Sequence, residues 1–121
     1  MKTILLIEDM QGVRDSLEML LSTAGYKVTL ATNGQEGLQS IAASTHDLII
    51  TDILMPEVDG SEVIMSAKKT HPDTLILAIS AGGNGVSADQ ALMLAKEKAD
   101  AVLEKPFSKD DFLSKVKELV G

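Results

Sequence analysis

The chain has 121 residues, enough for one domain around a single core. A net charge of -7 speaks against direct nucleic-acid binding, and the lack of cysteine excludes disulfide and thiolate chemistry. No apolar run is long enough to span a membrane and no basic leader opens the chain, so the expectation is a cytoplasmic protein without membrane or nucleic-acid partners.

The hydrophobic fraction is 45% with only 2% aromatic residues, so the core must be built from Leu, Ile, Val, Ala and Met. Residues 3–8 read as a first strand, apolar until it ends in Glu8 and Asp9. Val13, Leu17, Leu20, Leu21 and Ala24 then recur at helical spacing, and Gly25 closes the helix as its C′ residue. Residues 27–31 form a more polar strand, with Lys27 and Thr29, which suits a sheet edge. Asn33 and Glu36 resemble a capping box before a short helix to about Ala43.

Residues 47–52 are the most apolar strand and end in Asp52. Asp59 and Glu62 open the helix carrying Val63, Ile64 and Ala67. Residues 75–80 form a fourth strand ending in Ser80, and Ser87 with Gln90 caps a helix to about Lys98. Residues 101–104 make the fifth strand, closed by Lys105-Pro106, and Ser108 begins a last helix with Phe112, Val116 and Val120 on one face. Five strands alternating with helices predict an α/β fold, an open parallel sheet with helices on both faces, in one domain over 1–121.

Ligands of such sheets bind outside the carboxyl ends of the strands, which is where Glu8, Asp9, Asp52, Ser80 and Lys105 stand. Asp9 alone could be a helix N-cap. Three carboxylates in one crevice repel, however: two charges ~4 Å apart cost roughly 4 kcal/mol at an effective dielectric near 20. A divalent cation relieves that cost, and an oxygen-only set in an open cleft suits Mg²⁺. Lys105 supplies a cation for phosphate, and Ser80 a hydroxyl. A carboxylate nucleophile, a metal, a cation and a hydroxyl are the parts phosphoryl transfer needs.

The chain resembles the receiver domains of two-component response regulators. The resemblance is carried by Glu8-Asp9, by Asp52-Ile53-Leu54-Met55-Pro56 with Asp59-Gly60, by Ser80-Ala81 and by Lys105-Pro106-Phe107. It implies a flavodoxin-like, doubly wound (βα)5 fold of strand order 2-1-3-4-5, without an output domain. It implies that Asp52 takes a phosphoryl group from a phosphohistidine on a histidine kinase or histidine phosphotransfer protein, changing affinity for a downstream protein partner. Asp9 and Asp52 would bind Mg²⁺, with Mn²⁺ able to substitute, Glu8 acting through water and Leu54 through its carbonyl. Ser80, Ala81 and Lys105 would hold the phosphoryl oxygens, and the Lys105-Pro106 peptide would be cis. Such a domain is no enzyme in the ordinary sense, catalysing only its own phosphorylation and dephosphorylation.

Many members carry an aromatic residue three positions before the strand-five lysine, where this chain has Val102. A branched valine cannot report two states by rotating, so the switch signal is expected to run through residues 80–86, with their three glycines. Those glycines lack the Gly-Lys-Ser/Thr ending of a P-loop. His46 and His71 read as surface residues. Ala95, Ala99 and Ala101, interleaved with charges, would suit part of a partner face, but a merely solvated helix surface is the better reading. Two other functions compete: a receiver-like interaction module without phosphorylation, and an aspartate-nucleophile phosphatase. The retained acids and lysine count against the first; Leu54, where a second acid would stand, counts against the second.

Overall fold

The computed structural model describes residues 1–53, 60–80 and 97–121. The expected roles of Leu54, Met55-Pro56, Ala81 and the glycine segment, the Asp59 and Ser87–Gln90 caps, most of the helix to Lys98, and Ala95 lie outside the described residues.

Five parallel strands, β1 (Thr3–Ile7), β2 (Lys27–Ala31), β3 (Leu48–Asp52), β4 (Leu75–Ser80) and β5 (Ala101–Glu104), form one sheet of order β2-β1-β3-β4-β5. Four helices are described: α1 (Gln11–Thr23), α2 (Gly34–Ala43), α3 (Gly60–Thr70) and α4 (Lys109–Val120). This is the doubly wound flavodoxin-like arrangement the sequence predicts.

Strand alternation sorts the core into two layers. Leu5, Ile7, Ile49, Ile76 and Ala78 face α2 and α3, meeting Ile41, Val63, Ile64 and Ala67. Ile4, Leu6, Leu48, Ile50, Leu77 and Ile79 face α1 and α4, meeting Leu17, Leu21, Phe112 and Val116. The central strand β3 is buried along its whole length, whereas β2 alternates exposed and covered residues, as an edge strand with one solvated face should. Val102 packs against the α2–α3 layer.

Local signals hold in detail with some differences. Gly25 has φ 98° and ends α1 in a Schellman turn: its N–H donates to Ser22 O and that of Tyr26 to Leu21 O, each at 3.1 Å. At α2, Asn33 Oδ1 accepts from Glu36 N–H at 2.8 Å, but the Glu36 carboxylate returns to Thr32 N–H (2.7 Å) rather than to Asn33. Strand β3 starts one residue later than predicted; Asp47, just before it, donates its N–H to Thr3 O at 2.9 Å, and its Oδ2 accepts from Thr3 N–H at 2.8 Å. That bond is the main reason its carboxyl sits below its ordinary value.

Candidate phosphoryl and divalent-cation site

Parallel register brings the strand ends to one edge. Ile7 pairs with Thr51, so Glu8 and Asp52 leave neighbouring strands side by side. On the other flank Asp52 pairs with Ile79, and Ser80 with Glu104. Lys105 thus emerges two strands from Asp52, about 10 Å away at backbone level. Only a long arm bridges that gap, and the lysine does so: Nζ lies 2.9 Å from Asp52 Oδ2 and 3.7 Å from Glu8 Oε1. Its own N–H donates to Ser80 O at 2.7 Å, which ties the fourth and fifth strand ends together. The Lys105-Pro106 peptide is cis. Phe107 behind it stacks on buried Phe112, centroids 5.8 Å apart, seating this turn on α4.

Glu8, Asp9 and Asp52 each offer a carboxylate oxygen within 4.8 Å of the others. Asp9 is not the helix cap: α1 is preceded by Met10, and no side chain caps it. Glu8 and Asp52 are buried, while Asp9 stands half-exposed at the rim. Burial, reinforced by the Asp52 charge and opposed by Lys105, pushes the Glu8 carboxyl up to about 7. Burial alone would lower the Lys105 ammonium, yet the Asp52 hydrogen bond and the surrounding carboxylates raise it above its ordinary value. One ammonium therefore faces three carboxyl groups, and ionising all of them leaves a deficit of positive charge.

The residues fit a hard divalent ion. Both Glu8 oxygens are buried and neither accepts a hydrogen bond; with Lys105 Nζ 3.7 Å from Oε1, the carboxyl holds its proton against the Asp52 charge, and ionising it there calls for a further cation. All three donors are carboxylate oxygens gathered at the carboxyl edge of the sheet, with half-exposed Asp9 at its rim, the donor chemistry of Mg²⁺.

Two supporting contacts escaped the sequence reading. Thr51 Oγ1 donates to the Asp52 carbonyl at 3.0 Å. Gly60 opens α3 directly against that carbonyl: a Cβ there would lie 2.3 Å from Asp52 O and 2.6 Å from Ile53 Cα, and its N–H donates to Ile53 O at 2.8 Å. The sequence marks Gly60 only as part of the Asp59-Gly60 pair that carries the resemblance; the packing reveals its purpose.

The two histidines stand elsewhere. They line a cavity of about 640 Å³ at the opposite end of the sheet, with Lys2, Asp47 and Asp73. Neither is the plain surface residue expected. Both are half-buried; His71 Nε2 lies 2.9 Å from Ile41 O, and burial, with His71 adding, holds His46 below its usual value.

Comparison with known proteins shows the family and the fold. Residues 4–117 match the family model of the response regulator receiver domain. Over 117 residues the chain is 35% identical to response regulator MprA of Mycolicibacterium vanbaalenii, covering 97% of this chain and 49% of that protein. The figures for MprA of Mycobacterium leprae are 34%, 97% and 50%. The chain thus spans about half the length of these curated relatives. Response regulator TrrA of Thermotoga maritima, solved in complex with Mg²⁺-BeF, superposes with a TM-score of 0.86 at 32% identity, over 99% of this chain and 100% of that one. A CheY-like receiver domain from Methanospirillum hungatei gives 0.86 at 30%, over 98% and 92%. The chain belongs to the response regulator receiver family, the phosphoryl-accepting domains of two-component signalling.

Proposed function

We propose that Asp52 is the phosphoacceptor of a signalling switch, loaded from a phosphohistidine on a histidine kinase or histidine phosphotransfer protein. The observation that carries this reading is the meeting of Glu8, Asp9, Asp52 and Lys105 at one strand edge, from three distant stretches of sequence. Family membership supports it, as does the Mg²⁺-BeF complex of the Thermotoga relative.

In this reading an Asp52 carboxylate oxygen attacks phosphorus in line. The O–P bond forms as the N–P bond of the donor breaks, and the donor imidazole keeps the leaving electron pair and takes up a proton. Mg²⁺ held by Glu8, Asp9 and Asp52 would offset the carboxylate repulsion and the charge on the phosphoryl oxygens. Lys105 transfers from Asp52 Oδ2 to a phosphoryl oxygen, and the Ser80 hydroxyl, at the adjoining strand end, donates to another. Both groups then pull on β4 and β5, and Lys105 N–H to Ser80 O joins those strands in one movement. Ala81 and Leu54 would add backbone contacts to phosphoryl group and metal. Output passes through a downstream protein or through a unit on the same chain, since the curated relatives are about twice as long.

Incubation with Mg²⁺ and acetyl phosphate tests the reading by intact mass. A single, base-labile phosphoryl adduct is expected on the wild type and none on Asp52→Asn. Equal labelling of both proteins would refute it, and steady hydrolysis of varied phosphomonoesters would favour a phosphatase instead.

A further inference from the structure

One side chain ties the start of helix α1 back to the residue that opens the turn presenting Glu8 and Asp9. Helix α1 starts without a side-chain cap and without an acid in its first turn, so the usual devices for fixing a helix entry are missing. Arg14 replaces them. Its backbone N–H makes the first helical bond to Met10 O at 2.8 Å, as any residue there would, and its guanidinium reaches back to donate from Nη1 to the Glu8 carbonyl at 2.9 Å. Glu8 N–H is held in turn by Ala31 O at 3.1 Å. The Glu8 backbone is therefore pinned at both poles, its carbonyl by the Arg14 side chain, and Asp9 sits between that carbonyl and the first bond of the helix. Asp9 is the half-exposed member of the cluster, with its direction set by this turn.

We propose that Arg14 is a positioning residue for the divalent-cation site, acting through the Glu8 carbonyl to aim the Glu8 and Asp9 carboxylates. Its charge and its geometry pull in opposite directions. A guanidinium near a cation site disfavours the cation by simple repulsion, so deleting it should tighten Mg²⁺ binding if charge were its only effect. Partners that orient metal ligands from behind have the reverse effect, their loss costing tenfold or more in metal affinity. The sign of the change separates the two.

The inference rests on the reading of Glu8, Asp9 and Asp52 as a Mg²⁺ site, so wild type is titrated with Mg²⁺ first, by calorimetry. Arg14→Met, which keeps the apolar stem, should raise the Mg²⁺ Kd roughly tenfold. Its circular dichroism in EDTA should match wild type, and the Glu8 and Asp9 amide resonances should shift. Arg14→Lys should fall between the two proteins. Labelling by acetyl phosphate should slow at low Mg²⁺ and recover at saturation. If Arg14→Met does not fold, Arg14→Gln carries the same test. An unchanged or lower Kd with wild type binding normally overturns the role of Arg14 alone, whereas absence of binding by wild type overturns the Mg²⁺ reading with it.

Discussion

Replacing Gly60 by alanine pits helix propensity against packing, and the structure says which wins. Alanine in place of glycine near a helix start would ordinarily stabilise by about 0.5–1 kcal/mol. Here the new methyl would sit 2.3 Å from Asp52 O, 2.6 Å from Ile53 Cα and 3.0 Å from Asp52 C. All three are backbone atoms, so no rotamer change can make room. Ordinary contact needs a separation of some 3.4 Å, so α3 must lift off the end of β3 by about 1 Å, stretching the 2.8 Å bond from Gly60 N–H to Ile53 O. Overpacking of this kind costs about 1–3 kcal/mol, and the lost bond about 1 more. The net expectation is destabilisation by about 2 kcal/mol, a urea midpoint lower by roughly 1 M and a Tm lower by roughly 10 °C. Gly12 in α1 is the matched control, because a Cβ there meets nothing within 4 Å. Gly12→Ala should stabilise by about 0.5 kcal/mol. Urea unfolding of both variants in EDTA reads the two signs directly. A Gly60→Ala protein as stable as wild type would refute the claim that α3 is seated on the Asp52 backbone.

The acidic crevice carries a pH signature. Glu8 keeps its proton up to about 7 in the folded chain but loses it near 4.5 when unfolded, so between those values the folded state holds more protons and stability falls as pH rises. The full difference is about 3 kcal/mol, present below pH 4.5 and lost as pH rises through 7. Urea unfolding in EDTA should show part of it between pH 5.5 and 8, and saturating Mg²⁺ should remove it; a flat profile in EDTA would contradict the assignment to Glu8. Lys105→Ala should still accept some phosphoryl group from acetyl phosphate, because the nucleophile remains, but partner binding or spectral change on phosphorylation should be blunted. A full response in that variant would contradict the role given to Lys105. The same variant should bind Mg²⁺ several-fold more tightly by calorimetry, since it removes the ammonium 2.9 Å from Asp52. Asp9→Asn should raise the Mg²⁺ Kd at least tenfold while leaving the fold intact by circular dichroism.

Much of this structure was legible because parallel sheets make strand ends meaningful. Once residues 3–8, 47–52, 75–80 and 101–104 read as buried strands, the residues closing them had to gather at one edge whatever their separation in sequence. Gly25 was equally plain, since a helix ending in glycine has few alternatives to a left-handed turn. What the sequence hid depends on how helices sit against the sheet, which periodicity does not encode. The approach of Gly60 to Asp52 needs the tilt of α3, and the similar approach of Gly37, whose Cβ would lie 2.5 Å from Ile7 Cδ1, needs that of α2. Arg14 lies on the polar side of α1, where a charged residue reads as solvated surface; its bond to the Glu8 carbonyl becomes visible only with the turn in three dimensions. His71 and Asp47 were missed for the same reason, because their partners Ile41 and Thr3 lie 30 and 44 residues away.

The most direct test is a crystal structure grown with Mg²⁺ and beryllium fluoride, which mimics a phosphoryl group. We expect beryllium bonded to an Asp52 oxygen, Lys105 Nζ and Ser80 Oγ on fluorine atoms, and magnesium beside Glu8, Asp9 and Asp52. Ions bound at any other place, with Lys105 still on a bare Asp52, would contradict the account.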